Sequence, residues 1–325
     1  MDHRDDEVGT VTHGATTVVS VDLDDTPCYH AIHGLPPPDP SANALVLERC
    51  LPRFLELFER TNVRATFFVV GRDLERDLAH RGEGARLLQR ALADGHELAN
   101  HTHTHAYELV RWPIERIADD IRRCDAVLRS LGADPKGFRA PGYTHDRALL
   151  QLVAQLGYAY DSSALPSPAY YVAKLLALLA MRMHGRRSAS LAWGARSFFG
   201  RASPSRPVGF GLWRVPVGVT PWLRLPFVGT ALLSGPAWLS WWLRRAATRV
   251  RYLHLELHGL DLADPGVGSS SGDGFSPELV AIQPELGIPL ELRAARLRAV
   301  LTARGGATTI ASAIDSWSSR DVQPW

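Results

Sequence analysis

Four short stretches of this 325-residue chain place reactive side chains where a β-strand would end. Asp22, Asp24 and Asp25 close a β-branched run at 15–23. His101, His103 and His105 alternate with threonines just after 96–100. Arg139 leads Ala140, Pro141, Gly142 and Tyr143. His254, Glu256 and His258 alternate along 250–258. His101 and His105 are four apart, so one helical turn would put both on one face, able to grip a cation, with His103 directed elsewhere. Two histidines, one carboxylate and an open position form a common catalytic metal set. Asp24 and Asp25 face opposite ways if the backbone stays extended, so one can bind metal while the other meets water. Asp22 shares a face with Asp24 and is a second candidate. Neighbouring acids need a cation or a shared proton to coexist. Blander readings compete: a His/Thr tract is a compositional cue for a solvated, metal-sticky loop, and paired aspartates often only shape turns.

The elements that must position these groups alternate. Apolar runs at 15–23, 64–70, 96–100, 137–140, 158–161, 214–220 and 250–258 read as strands, with a last short one at 307–310. Helical stripes fall at 42–60, 83–93, 114–131, 147–156, 169–183 and 290–304, with a final turn at 311–317. Strand–helix alternation implies parallel strands joined by helical crossovers, with chemistry at the strands' C-terminal ends. An open sheet and a barrel fit that alternation equally. We expect a polar tail at 1–14, one catalytic domain at 15–317 with an irregular excursion at about 165–250, and a tail at 318–325.

Composition narrows the class. With 36 Lys and Arg against 34 Asp and Glu, the net charge of +2 is too weak a bias to argue for nucleic acid. Three cysteines, Cys28, Cys50 and Cys124, are widely spaced and form neither a disulfide framework nor a zinc motif. The acidic, polar start lacks a signal-peptide pattern, so a cytoplasmic location is the expectation, with peripheral contact at a membrane's inner face as its extension. The uncharged stretch 225–243 has the length to cross a bilayer, but Pro226, Gly229, Gly235 and Pro236 break it. It reads as a lid or as an apolar patch that meets lipid through Trp238, Trp241 and Trp242.

The chain resembles the polysaccharide deacetylase family, also called the NodB-homology or carbohydrate esterase family 4-like family, whose five ordered motifs it matches in order and spacing. Leu23-Asp24-Asp25-Thr26 resembles the first motif. His101–His105 matches the second, Phe138-Arg139-Ala140-Pro141 the third, Tyr160-Asp161-Ser162-Ser163 the fourth region and Leu255-Glu256-Leu257-His258 the fifth. The resemblance implies an α/β fold, a distorted, incomplete (β/α) barrel capped by the excursion. It implies that Asp25, His101 and His105 hold one divalent ion, with Asp24 as general base and Arg139 pairing with it. It further implies His258 as general acid and the Gly142 N–H at the oxyanion. Tyr143 and Asp161 are further candidates at the substrate and oxyanion, with Asp161 either orienting His258 or shaping a strand-end turn. Zinc suits this set, and cobalt, nickel or manganese bind the same donors. Thr26 replaces the family's usual glycine, and Gly142 stands where many members carry tyrosine. On the fifth motif's face we assign the acid to His258, nearest the strand end, and read His254 as a core residue.

The expected function is metal-dependent removal of an N-acyl group, acetyl foremost, from an amino sugar. The Trp-rich stretch tilts the substrate toward a glycolipid or lipid-linked saccharide. Two rivals stand beside it: hydrolysis of a small cyclic amide or ureide on the same fold, and a non-catalytic saccharide- or membrane-binding protein.

Overall fold

β-Branched and apolar runs flanked by amphipathic helices form one sheet of seven parallel strands in a computed structural model. It describes residues 15–39, 44–190, 200–207, 211–266 and 272–321. The strands are β1 Thr16–Asp22, β2 Thr66–Val69, β3 Glu97–Asn100, β4 Gly137–Phe138, β5 Tyr160–Asp161, β6 Trp213–Arg214 and β7 Tyr252–His258, in the order β6-β5-β4-β3-β2-β1-β7. The helices are α1 Thr26–His33, α2 Leu51–Arg60, α3 Gly71–Ala79, α4 Glu83–Ala93, α5 Ile114–Ser130 and α6 Arg147–Gln155. They continue as α7 Pro168–Met183, α8 Gly229–Leu233, α9 Ala237–Ala247, α10 Pro277–Ile282, α11 Leu290–Arg304 and α12 Ile310–Asp321.

The sheet curls into the expected incomplete barrel. β7 lies beside β1 in register, Asp22 opposite His258. Between β6 and β7 no regular strand closes the curl. Irregular chain after β6 does it with isolated bonds, Gly218 N to His254 O at 2.9 Å and Glu256 N to Phe227 O at 3.0 Å. Pro216 and Pro221 cannot donate to a ladder, which is why the strand anticipated at 214–220 shrinks to Trp213–Arg214.

Strand alternation sorts the side chains. Val19, Val21, Leu253, Leu255 and Leu257 pack outward against α2, α8 and α11 in the main core. Inside the curl, Val18, Phe68, Ala99, Tyr160 and Trp213 meet Ile310, Ala313, Ile314 and Trp317 of α12. That helix seats on the strands' starts: Ile310 N donates to Thr66 Oγ1 and Ala311 N to Glu97 Oε2. The barrel floor is therefore filled, and open chemistry is confined to the C-terminal mouth.

Several boundaries depart from the sequence pattern. The last strand anticipated at 307–310 reduces to single bridges at Ala307 and Thr308. α12 runs to Asp321, past the anticipated single turn, while residues 1–14 and 322–325 lie outside the described residues. The anticipated 42–60 helix opens with a π-helical turn at Val46–Cys50 just before Pro52, whose ring nitrogen cannot bond the carbonyl four residues back. The apolar stretch 225–243 splits at Pro236 into α8 and α9, and no described helix is long and apolar enough to cross a membrane.

Candidate active site

The phase of β1 decides which aspartates meet. Ser20 and Asp22 point into the barrel, and the alternation carries on beyond the strand so that Asp24 points in as well. Asp24 Oδ1 lies 3.3 Å from His101 Nε2 and 3.2 Å from His105 Nε2, all three side chains buried. Asp25 points the other way. Its Oδ1 accepts the Thr26 N–H at 2.7 Å and caps α1. Burial, with Asp73 nearby, pushes its carboxyl up to about 8. The carboxylate that lies beside His101 and His105 is therefore Asp24 and not the implied Asp25: a one-residue step flips a side chain across the sheet.

His101 continues β3, but the anticipated helical turn through His105 is absent. Residues 101–106 form a loop in which Thr102 (φ 66°) and His105 (φ 53°) adopt the left-handed conformation. Local bonds stabilise these costly dihedrals. Thr102 N donates to Asn100 Oδ1 at 2.8 Å and His105 N to Thr102 Oγ1 at 3.0 Å. Asp120 of α5 accepts the His103 and Thr104 N–H groups at 2.8 and 3.3 Å. His103 turns away, its Nε2 3.6 Å from Glu75.

The three converging groups fit a metal ion. The His101 Nδ1–H donates to the Arg139 carbonyl at 2.8 Å, which fixes the tautomer and leaves Nε2 as a bare lone pair. Asp24 Oδ1 and both ring nitrogens of His105 are buried without hydrogen-bond partners. Their spacing is what bonds of ~2.0–2.1 Å subtend in a tetrahedron, an edge of about 3.3 Å. Without an ion, burial opposes charge on Asp24, yet the two histidines outweigh it and hold its carboxyl well below the usual range.

Arg139 pairs with Asp22, not with Asp24. It is fully buried, its Nη1 donating to Asp22 Oδ1 and its Nη2 to Ser20 Oγ and Ser162 Oγ, both at 2.9 Å. The Phe68 ring lies 4.0 Å beneath the guanidinium. Asp22 Oδ2 is 3.7 Å from His101 Nε2, so the Arg-held carboxylate borders the cluster of Asp24, His101 and His105. The pairing implied for Asp24 falls to Asp22: both share the inward phase of β1, but Asp22 and Ser20 are the ones that meet Arg139, while Asp24, two residues further along, meets the two histidines.

β7 supplies the opposite wall. His258 Nδ1 lies 3.0 Å from Glu256 Oε1, and both join Asp22 in a second cluster. Burial opposes the imidazolium, but Glu256 and then Asp22 outweigh it and raise His258 to about 9. His254 lies deeper, as read from the sequence. Its ring spans Pro216 O and Ser20 Oγ, each at 2.9 Å, and burial with Arg139 beside it lowers it to about 3. Asp161 is held by partners other than His258. It accepts Ser163 Oγ at 2.5 Å and pairs with Arg214 at 2.9 Å, holding the strand ends of β4, β5 and β6 together.

Gly142 has φ +61°, and a Cβ there would sit 2.9 Å from the Tyr107 ring and 3.7 Å from Lys174 Nζ. The glycine thus lets the 141–143 loop turn beneath Tyr107, and α7 passes over it. Tyr143 follows, itself at φ 60° and buried. Three groups escaped the sequence reading. Glu256 was visible only as part of an alternating face. Tyr107 and Lys174 carry no motif, and the excursion brings Lys174 to the mouth, where burial lowers it to about 8.

Residues 23–160 match the model of the polysaccharide deacetylase family. A chitooligosaccharide deacetylase of Bradyrhizobium is 32% identical over 112 residues, 34% of this chain and 48% of the relative. A peptidoglycan-N-acetylglucosamine deacetylase of Bacillus cereus is 28% identical over 107 residues, 33% of this chain and 46% of the relative. The chain spans about half the length of the curated relatives it matches. The fold extends further. A structure from Mycobacterium smegmatis described as a polysaccharide deacetylase superposes with a TM-score of 0.57 at 17% identity, covering 97% of this chain and 95% of that one. One from Pseudomonas aeruginosa under the same description gives 0.57 at 14% identity, covering 95% and 92%. Over residues 23–160 the chain is similar to the polysaccharide deacetylase family.

Proposed function

We propose that this protein is a metal-dependent hydrolase that removes the N-acetyl group from an amino sugar. The observation that carries the reading is the meeting of buried, unpartnered Asp24 and His105 donors with His101 Nε2, flanked by an Arg-held carboxylate and a carboxylate-held histidine. Asp24, His101 and His105 would hold the ion, which when bound supplies Lewis acidity and acidifies water. Asp22, oriented by Arg139, accepts the proton of the attacking water. The water oxygen bonds to the acyl carbon, the C–N bond breaks, and protonated His258 delivers its proton to the departing amine nitrogen. Glu256 keeps His258 charged for that task, since an amine anion is a very poor leaving group. The Gly142 N–H, at the turn beneath Tyr107, is assigned to the acyl oxygen, with Tyr143 bordering it. Zinc suits one carboxylate and two imidazoles, with cobalt, nickel and manganese as competitors.

The relatives named for chitooligosaccharide and peptidoglycan amino sugars support the substrate class. The exposed tryptophans of α9 support its refinement to a lipid-linked or glycolipid substrate. The test measures metal content and acetate release together, for wild type and His101→Ala, on N-acetyl amino sugars both free and lipid-linked. About one ion per chain, lost with acetate release in the variant, is the expected result. A protein that takes up no zinc or cobalt on reconstitution overturns the reading. Turnover of free sugars alone would remove the lipid refinement and leave the rest.

A further inference from the structure

Charge is divided sharply along this chain. Residues 162–255 hold thirteen Lys and Arg and no Asp or Glu, a formal +13, whereas the remainder, with 23 basic residues against 34 acidic, carries −11. The near-neutral total conceals this. The same segment holds most of the exposed apolar side chains. α7 touches the protein along one stripe, Tyr171 buried and Lys174, Leu178 and Met181 half-buried, while Val172, Leu175, Leu176, Leu179 and Met183 face outward. A hairpin-like loop between Val219 and Pro226 presents Trp222 at its tip, 99% exposed, beside Leu223. On α9, Trp238, Trp241 and Trp242 are exposed while Ser240, Leu243 and Ala247 are buried, and Arg245 lies over the Trp241 ring at 5.2 Å. An ordinary surface helix keeps a polar outer face, and exposed patches of this size mark a docking site.

We infer that this segment docks the protein peripherally on an anionic lipid bilayer, with α7's outward face, the Trp222 loop and the tryptophans of α9 in the interfacial layer. Aliphatic side chains on α7 give nucleic acid nothing to stack on. A face-to-face dimer would bring two strongly cationic surfaces together. Aliphatic insertion, aromatic anchoring and an arginine surround are together what an anionic interface rewards. The bases of two of these elements join at the barrel mouth: Tyr170 of α7 and Val219 of the Trp222 loop pack with Tyr143 in one cluster, which also takes in Val228 at the start of α8. Lys174, on α7's inner stripe, borders the Gly142 turn. Docking would therefore set the mouth beside the membrane. The binding itself does not depend on the catalytic reading.

The test is flotation of the full chain with vesicles of phosphatidylcholine alone, or with about one-third phosphatidylglycerol, in about 0.1 M salt. The expected result is binding to the anionic vesicles at least about tenfold above the neutral ones, a blue shift of tryptophan emission, and release by high salt. The double variant Leu176→Glu/Leu179→Glu, and separately Trp222→Ser, should lower binding by about tenfold or more with unchanged circular dichroism. Leu292→Glu, an exposed control on α11, should not change it. No flotation with anionic vesicles overturns the inference. So does flotation indifferent to both variants, or a dimer in size-exclusion that Leu176→Glu/Leu179→Glu dissolves. Acetate release from a soluble sugar, measured alongside, separates failure of docking from failure of catalysis.

Discussion

At the residue scale, the site turns on which of three aspartates faces inward. Asp24→Asn should lose the ion, because it removes a donor that no neighbour replaces. Asp25→Asn should keep about one ion per chain, since an amide still caps α1. Asp25→Ala should cost about 1 kcal/mol of stability through the lost cap and still bind metal. Metal content and thermal melts on the three variants distinguish this placement, and loss of metal in Asp25→Asn would return the ligand role to Asp25. His258 offers a second test. Its acid form persists to about 9 because Glu256 outweighs burial. In Glu256→Gln the largest charge opposing burial is gone, though Asp22, Asp24 and Asp261 remain, so the imidazolium gives up its proton at lower pH. The alkaline limb of kcat/KM should then move down by about one unit or more, with the acid limb far less affected. An unmoved alkaline limb would remove His258 as the acid.

At the scale of elements, the motifs pointed to loops that converge at the barrel mouth and missed details that depend on tertiary partners. Strands β1, β2, β3 and β7 were legible because β-branched or apolar runs are bounded by turn residues. The helices α4, α5 and α11 were legible from their stripes. α1 and α3 were not. Each starts immediately after a strand's active end, and α3 begins at Gly71, which reads as a strand stop. The role of Gly71 is packing: a Cβ there would meet Cys124 Cα and His103 Nδ1 at 2.9 Å. The histidine loop misled in the same way. Spacing of four suggested a helical turn, whereas two left-handed residues bring His101 and His105 together. What holds that turn is Asp120, seventeen residues along the chain from His103 and on another element. Asp120→Ala should therefore weaken metal affinity by about tenfold or more while α5 remains folded, read by competition with a chelator. Equal affinity in the variant would show that the loop keeps its shape without that anchor.

At the scale of the whole molecule, the barrel is layered along its axis, and each layer does a different job. The floor is aromatic and aliphatic, closed by α12. At its edge, where α12 begins, Glu97 accepts Thr66 Oγ1 at 2.7 Å and Tyr160 Oη at 2.8 Å. Higher still, Arg139, Ser20 and His254 interlock beneath the metal-ligand cluster. A sequence pattern reports which face of a strand is apolar but not how high in the barrel each residue sits, so this layering was not readable in advance. It predicts separable effects. Trp317, 1% exposed, packs its ring 5.6 Å from that of Trp213 and 6.3 Å from that of Tyr252. Trp317→Ala leaves a cavity costing about 3–5 kcal/mol. In a chain of this size that lowers the melting temperature by roughly 10 °C. The Asp24, His101 and His105 cluster sits at the other end of the strands, held by Arg139, Asn100 and Asp120; of these, Arg139 meets the floor through the Phe68 ring. Metal stoichiometry and affinity at 20 °C should therefore match wild type. If affinity falls together with stability, floor and mouth form one cooperative unit, and the stacking of Arg139 on Phe68 transmits the strain between them.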